Sequence, residues 1–125
     1  LIGSKLTTIA SVAKAARRLA TTVDLVCVSS VGGGAILASR DFVCFGKTPK
    51  IKIVTTVGAG DSMVAGMVAE LWHRKTTVYN DRDLVLELLR HGLAAASATL
   101  MRAGTELGMS NDIRRFYRGI SVTEL

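Results

Sequence analysis

The string Thr55-Thr56-Val57-Gly58-Ala59-Gly60-Asp61-Ser62 constrains this chain more than any other feature. Before it, Ile51 to Val54 reads as an extended segment. After it, Met63, Val64, Met67, Val68, Leu71 and Trp72 recur at helical spacing. A glycine turn between an extended segment and an amphipathic helix is a strand-to-helix junction. Glycines let the backbone turn tightly and bring its N–H groups to a ligand surface. The start of the helix adds unpaired donors and a partial positive charge. Together these make an anion site suited to phosphate. Asp61 does not belong to simple phosphate binding, because its carboxylate would repel the anion. It makes sense if it faces an attacking hydroxyl, orients it and takes its proton while the glycine amides stabilise the transferring group. From the residues alone, Gly-x-Gly-Asp also describes an aspartate that caps a helix after a glycine turn.

The rest of the chain supplies a frame for that junction. Leu6, Ile9, Val12, Ala13, Ala16 and Leu19 predict an amphipathic helix from Lys5 to Leu19, with Lys14, Arg17 and Arg18 on the other side. Asp24–Ser29, Ala35–Ala38 and Asp41–Phe45 read as strands, with Gly32-Gly33-Gly34 and Ser39-Arg40 as turns. In the glycine-following helix, Ala65, Gly66 and Ala69 leave room for close backbone approach. Asp81 or Asp83 caps a helix carrying Leu84, Val85, Leu88, Leu89 and Leu93, which continues through Ala94–Ala98 and stops near Gly104. Ser110 or Asn111 caps a last helix with Ile113, Phe116, Tyr117 and Ile120. The chain has 125 residues, 49% of them hydrophobic, enough for one compact core. The order of elements suits part of an α/β layer fold that needs more strands than this chain supplies.

The chain begins at Leu1 with no methionine nearby, and we read it as a piece of something longer. Leu1-Ile2-Gly3 lacks the features of a signal peptide. No apolar run approaches the ~18–20 residues that a membrane span needs. The formal net charge is +6. Its lysines and arginines are scattered over helix faces and loop flanks, and aromatic residues, at 5%, do not interleave with them. That pattern favours anionic small molecules over nucleic acid. Cys27 and Cys44 fall inside apolar runs and are expected as buried free thiols in a reducing cytosol. His73 and His91 lack metal-ligand spacing and read as surface or helix-end residues. Trp72 and Phe116 read as core anchors.

Thr56-Val57-Gly58-Ala59-Gly60-Asp61 resembles the C-terminal motif of PfkB carbohydrate kinases, in the ribokinase-like superfamily. Ser62-Met63-Val64-Ala65-Gly66 resembles the phosphofructokinase and tagatose-6-phosphate kinase branch. Ser30-Val31-Gly32-Gly33-Gly34-Ala35 is similar to the family's nucleotide loop, one residue shorter. His91–Leu100 is similar to its late helix, which lies against adenine, and Gly104-Thr105 to the pair after that helix. The resemblance covers nearly the whole chain. It implies an α/β fold, the C-terminal part of a ribokinase-like three-layer (α/β/α) Rossmann-like architecture. Residues 1–125 would be a single partial domain, the nucleotide-binding and catalytic-base half, with the N-terminal half and lid absent. Asp61 would be the base and Gly58, Ala59 and Gly60 the anion hole. Ser30, Gly32, Gly34, Leu93 and Ser97 would touch the nucleotide. Backbone carbonyls of Thr55, Val57, Thr99, Arg102 and Gly104 would hold a monovalent cation, with Glu106 standing where some relatives have a basic residue. ATP, Mg2+ and K+ are the implied cofactors and a phosphosugar the acceptor, with no nucleic-acid or membrane partner, a cytoplasmic location and a homodimeric parent.

Other readings weigh against these. The glycine loop is also a plain hairpin turn, the alanine run also plain helix–sheet packing, and Ser97 also a residue that bonds back to its helix. The family's upstream Asn-x-x-Glu motif, which organises magnesium, is absent from this sequence. A non-catalytic nucleotide-binding fragment or degenerate kinase homologue is the alternative to a kinase, and the retained Asp61 favours the kinase. A dinucleotide-binding domain lacks its G-x-G-x-x-G spacing.

Overall fold

A computed structural model describes residues 6–77 and 79–125. Lys5, the start of the predicted first helix, and Leu1-Ile2-Gly3 lie outside the described residues. The first helix, α1 (Ile9–Leu19), opens on a capping box in which Thr8 and Ser11 each bond the other's backbone N–H at 3.1 Å. It is followed by β1 (Val26–Val31), β2 (Gly34–Ala38) and β3 (Val43–Lys47), then by α2 (Ala59–Arg74), α3 (Arg82–Leu100), α4 (Ser110–Gly119) and β4 (Ser121–Glu124). The strands form one antiparallel sheet in the order β1-β2-β3-β4.

Period-two alternation sends β2 to both sides at once. Ile36 and Ala38 join Val12, Ala16, Ala20 and Val43 beneath α1. Ala35 and Leu37 join Cys44 and the buried sides of α2, α3 and α4 on the other face. The result is a three-layer α/β/α arrangement, as expected. The packing against α3 depends on Gly46, where an added Cβ would lie 2.3 Å from Leu93 Cδ1 and 3.1 Å from Leu89. Helices α2 and α3 also cross closely at Gly66, as expected, where a Cβ would meet His91 O at 2.7 Å. Ala65 and Ala69 instead face outward.

Several expectations are corrected. β4 was not anticipated, since its four residues SVTE carry one apolar side chain and no readable period; pairing with β3 makes it a strand. Ile51–Val54 is irregular chain. Asp81 caps α3 through Asp83 N at 3.0 Å. Neither Ser110 nor Asn111 caps α4, whose N-cap is Met109 without a side-chain bond. The wide apolar stripe of α2 splits: Met63 and Met67 are buried, whereas Val64, Val68 and Trp72 are 56%, 55% and 84% exposed. Trp72 is therefore no core anchor, although Phe116 is. Cys44 is buried and its thiol is pushed up to about 12 by that burial. Cys27 is exposed, because it lies on β1, which pairs only with β2 and ends the sheet.

A polar cluster ties the helices together away from the glycine loops. Glu70 on α2, buried, accepts from Arg74 and lies 3.2 Å from His91 Nε2 on α3. Tyr117 on α4 donates to Glu87, which holds its hydroxyl pKa above the usual phenol value. The His91 and Tyr117 rings stack at 4.7 Å. His91 is half-buried in this cluster and His73 is exposed.

Candidate active site

The turn into α2 forms at the glycines, but it is entered from irregular chain and not from a strand. After β3 the chain runs past Thr48 and Pro49 and is caught by the end of α3, where Leu100 O accepts from Val54 N at 2.8 Å and Thr55 N at 3.3 Å. Thr55 Oγ1 then accepts from Val57 N at 3.2 Å, a side-chain turn that redirects the backbone. Gly58 is the N-cap of α2 at φ 77, a left-handed value costly for any residue with a Cβ. The first helical bond runs from Ser62 N to Gly58 O at 2.9 Å, and Ala59 N makes a long contact of 3.4 Å to Thr56 O. The N–H groups of Gly60 and Asp61 are left outside the helical ladder. No atom lies within 4 Å of the place where a Cβ on Gly60 would sit, so this part of the helix start faces open space.

Asp61 sits in the first turn of α2 and is exposed. It does not cap the helix: the cap is Gly58, and no side-chain cap bond is made. Among the described residues its carboxylate has no hydrogen-bond or ion-pair partner. A free carboxylate beside an anion site is the arrangement that acceptor activation needs.

Beside the helix start lies a cavity of about 520 Å³. Ala59, Gly60, Thr56 and Met63 form one wall. Leu93, Ala96, Ser97 and Leu100 of α3 form another, and Ser29, Ser30, Gly33, Gly34 and Ala35 form the rim. Ser30, Gly34, Leu93, Ser97, Ala59 and Gly60 are thus brought to one space. Gly32 is not; it is turned toward α1, where a Cβ would meet Ile9 Cδ1 at 2.8 Å. The glycine loop is a hairpin turn between β1 and β2 and also the rim of the cavity. Ser97 is fully buried and among the described residues its hydroxyl has no partner, so it does not bond back to its helix. Leaving a buried hydroxyl unpaired costs about 1–3 kcal/mol.

The segments proposed for a monovalent cation are also adjacent. Residues 54 and 55 rest on Leu100, and a Cβ added at Gly58 would lie 3.9 Å from the Thr99 methyl. Thr99 O already accepts from Met101 N and, at 2.9 Å, from Arg102 N, so it is committed to the helix end. Arg102 pairs with Asp112 on α4 through its side chain. Glu106 is exposed in the loop beyond, its N–H donating to Ala103 O at 3.2 Å. Sequence reasoning missed what Thr99 does with its hydroxyl. It donates to Ser62 Oγ at 2.8 Å and accepts from Gly108 N at 3.1 Å, linking the first turn of α2 to the loop after α3. A lone threonine at the end of an apolar helix gives no periodic signal for such a contact. Among the described residues no group of three His, Cys, Asp or Glu side chains is placed to hold a metal ion. No described helix is long and apolar enough to cross a membrane.

A helix start with unpaired N–H groups, an unpartnered carboxylate in its first turn and a part-polar cavity thus lie together in a three-layer α/β frame. The description "pfkB family carbohydrate kinase" matches residues 1–112, and the chain belongs to that family. It is similar to 1-phosphofructokinase of Bacillus subtilis, 37% identical over 101 residues, covering 80% of this chain and 30% of that protein. It is similar to ATP-dependent 6-phosphofructokinase isozyme 2 of Escherichia coli, 31% identical over 123 residues, covering 97% of this chain and 37% of that protein. The crystal structure of E. coli phosphofructokinase-2 in complex with potassium superposes with a TM-score of 0.79 at 31% identity, covering 95% of this chain and 37% of that one. The chain therefore spans about a third of the length of these relatives, and its fold is that of ribokinase-like phosphofructokinases.

Proposed function

We propose that residues 1–125 form the nucleotide-binding and catalytic-base part of an ATP-dependent phosphosugar kinase. The complete protein would convert fructose 6-phosphate to fructose 1,6-bisphosphate. The observation that carries this reading is Asp61, an exposed carboxylate without a partner among the described residues, next in sequence to Gly60, which lines the cavity at the start of α2. In the proposed reaction Asp61 orients the acceptor hydroxyl. The hydroxyl oxygen bonds to the γ-phosphorus as the bond to the bridging oxygen breaks. The proton passes to the carboxylate and ADP leaves. Backbone donors of the Gly58–Gly60 turn offset charge on the transferring group. The nucleotide lies in the cavity, with Ser97 offering its hydroxyl and Leu93 and Ala96 an apolar wall.

Mg2+ bound with ATP would offset the negative charge of the phosphates. Among the described residues no group of three His, Cys, Asp or Glu side chains is placed to hold it. The cation assignment for K+ rests on the carbonyls of Thr55, Val57, Arg102 and Gly104, with Thr99 O already engaged. A cytoplasmic location and a homodimeric parent remain part of this proposal. Fructose 1-phosphate is the second acceptor to consider, because relatives named 1-phosphofructokinase match the chain as well. Both acceptors lead to the same bisphosphate.

The test is steady-state kinetics of the complete kinase with each fructose phosphate, alongside its Asp61→Asn variant. Turnover that collapses in the variant while ATP still binds supports the kinase. A protein that binds ATP but turns over neither sugar phosphate is the non-catalytic homologue.

A further inference from the structure

We infer that Thr48 is a positioning residue of the nucleotide cavity, holding the glycine rim in its binding shape; this rests on the nucleotide reading above. The β2–β3 ladder ends at the Gly34–Lys47 pair, and Thr48 follows. Its hydroxyl donates to Gly33 O at 2.9 Å and its N–H approaches the same oxygen at 3.4 Å. Gly33 and Thr48 both line the cavity.

The rim needs such a support. Ser30, Gly32 and Gly33 have φ of 60, 55 and 78, and Ser30 lies where the β1–β2 register shifts. A non-glycine residue held left-handed persists where its surroundings enforce it. From below, Gly32 has Ile9 and Phe45 beside it: a Cβ added there would lie 2.8 Å from Ile9 Cδ1 and 3.6 Å from the Phe45 ring. At Gly33 nothing lies within 4 Å of a Cβ position, so no side chain packs there. The two bonds from Thr48 are what tie Gly33 to the sheet. A rim fixed before the ligand arrives spares the ordering cost on binding. Sequence reading passed over Thr48 because it precedes Pro49 and belongs to no motif.

Thr48→Val removes the hydroxyl bond but keeps the N–H and the branched shape, and Thr48→Ser keeps both bonds. Loss of one such bond corresponds to about threefold to tenfold weaker binding. The probe is a non-hydrolysable ATP analogue with Mg2+, titrated into the full polypeptide by calorimetry. Amide exchange at Gly33 and Gly34 is measured in parallel without nucleotide. The expected result is a dissociation constant about threefold to tenfold higher for Thr48→Val, near-parental affinity for Thr48→Ser, and faster exchange at Gly33 and Gly34 in Thr48→Val alone. Parental affinity in Thr48→Val, or equal weakening in Thr48→Ser, overturns the inference. Unchanged exchange overturns the pin whatever the nucleotide does. No binding by the parent sequence defeats the nucleotide reading, and the ligand role of Thr48 with it.

Discussion

Gly60→Ala separates the phosphate-binding role of the α2 start from its structural role, because the two move in opposite directions. Gly60 is the second residue of α2, it does not have the positive φ of Gly58, and an added Cβ meets no atom within 4 Å. The protein therefore has room for the methyl. Alanine is favoured over glycine in a helix by about 0.5–1 kcal/mol, with the smaller figure apt at a helix start. For a protein the size of the complete kinase that raises the melting temperature by about 1–3 °C. The same methyl enters the cavity wall that Gly60 lines. If a phosphate oxygen is held there by the Gly60 N–H, the methyl intrudes on it and displaces the transferring group. Loss of one donor of this kind costs about 10²–10³-fold in turnover. The assay is a thermal melt and steady-state kinetics on the same preparation of the complete kinase. A variant that melts no lower than the parent yet loses turnover by at least that much fits the argument. Near-parental turnover would refute it and move the phosphate away from the helix start.

Asp61→Asn is expected to lower turnover by about 10²–10⁴-fold with little change in ATP affinity, read by kinetics and by titration with an ATP analogue. Ser97→Leu should weaken the same analogue by filling the cavity beside α3, whereas Ser97→Ala should leave the unliganded protein equally or more stable, since the hydroxyl it removes is buried and unpaired; unchanged affinity in Ser97→Leu would leave α3 a packing role only. Gly46→Ala should destabilise by about 1–3 kcal/mol, because its Cβ would lie 2.3 Å from Leu93 Cδ1, and a parental denaturation midpoint would count against the tight β3–α3 contact. The 125-residue chain alone is expected to show no sugar-kinase activity in an ADP-release assay and to self-associate in sedimentation; robust Asp61-dependent turnover by it would mean the acceptor site lies within these residues.

The glycine string was readable because two local rules agree on it, glycines that allow a tight turn and a helix start that follows, whereas the residues alone left Asp61 open as a cap, which the structure removes. The strands were readable because β2 is buried on both faces, so Ala35–Ala38 is an unbroken apolar run. What escaped reading depends on partners far apart in sequence. Ser121–Glu124 is a strand only because β3 offers it a ladder. Thr99 and Ser62 are 37 residues apart and meet through buried hydroxyls. Trp72 looks like core by composition, and only the side of α2 taken up by α3 shows that it points elsewhere. Likewise, Gly32, which the resemblance offers as a nucleotide contact, has α1 on the side where a Cβ would stand, a neighbour far off in sequence.

That second side of α2 bears on the chemistry. In a helix, residues spaced by three or four share a face, so Asp61, Val64, Val68 and Trp72 form one continuous row. All four are exposed, while Met63 and Met67 are buried on the other side. A helix apolar on both sides is built to be covered on both. Covering a side chain the size of valine or larger contributes about 1.5–3 kcal/mol, so leaving this row in water is a substantial loss. Asp61 begins the same exposed row, so on the proposed reading an acceptor hydroxyl reaches the carboxylate from that side of α2, and its positioning in line with the γ-phosphorus is what phosphoryl transfer depends on.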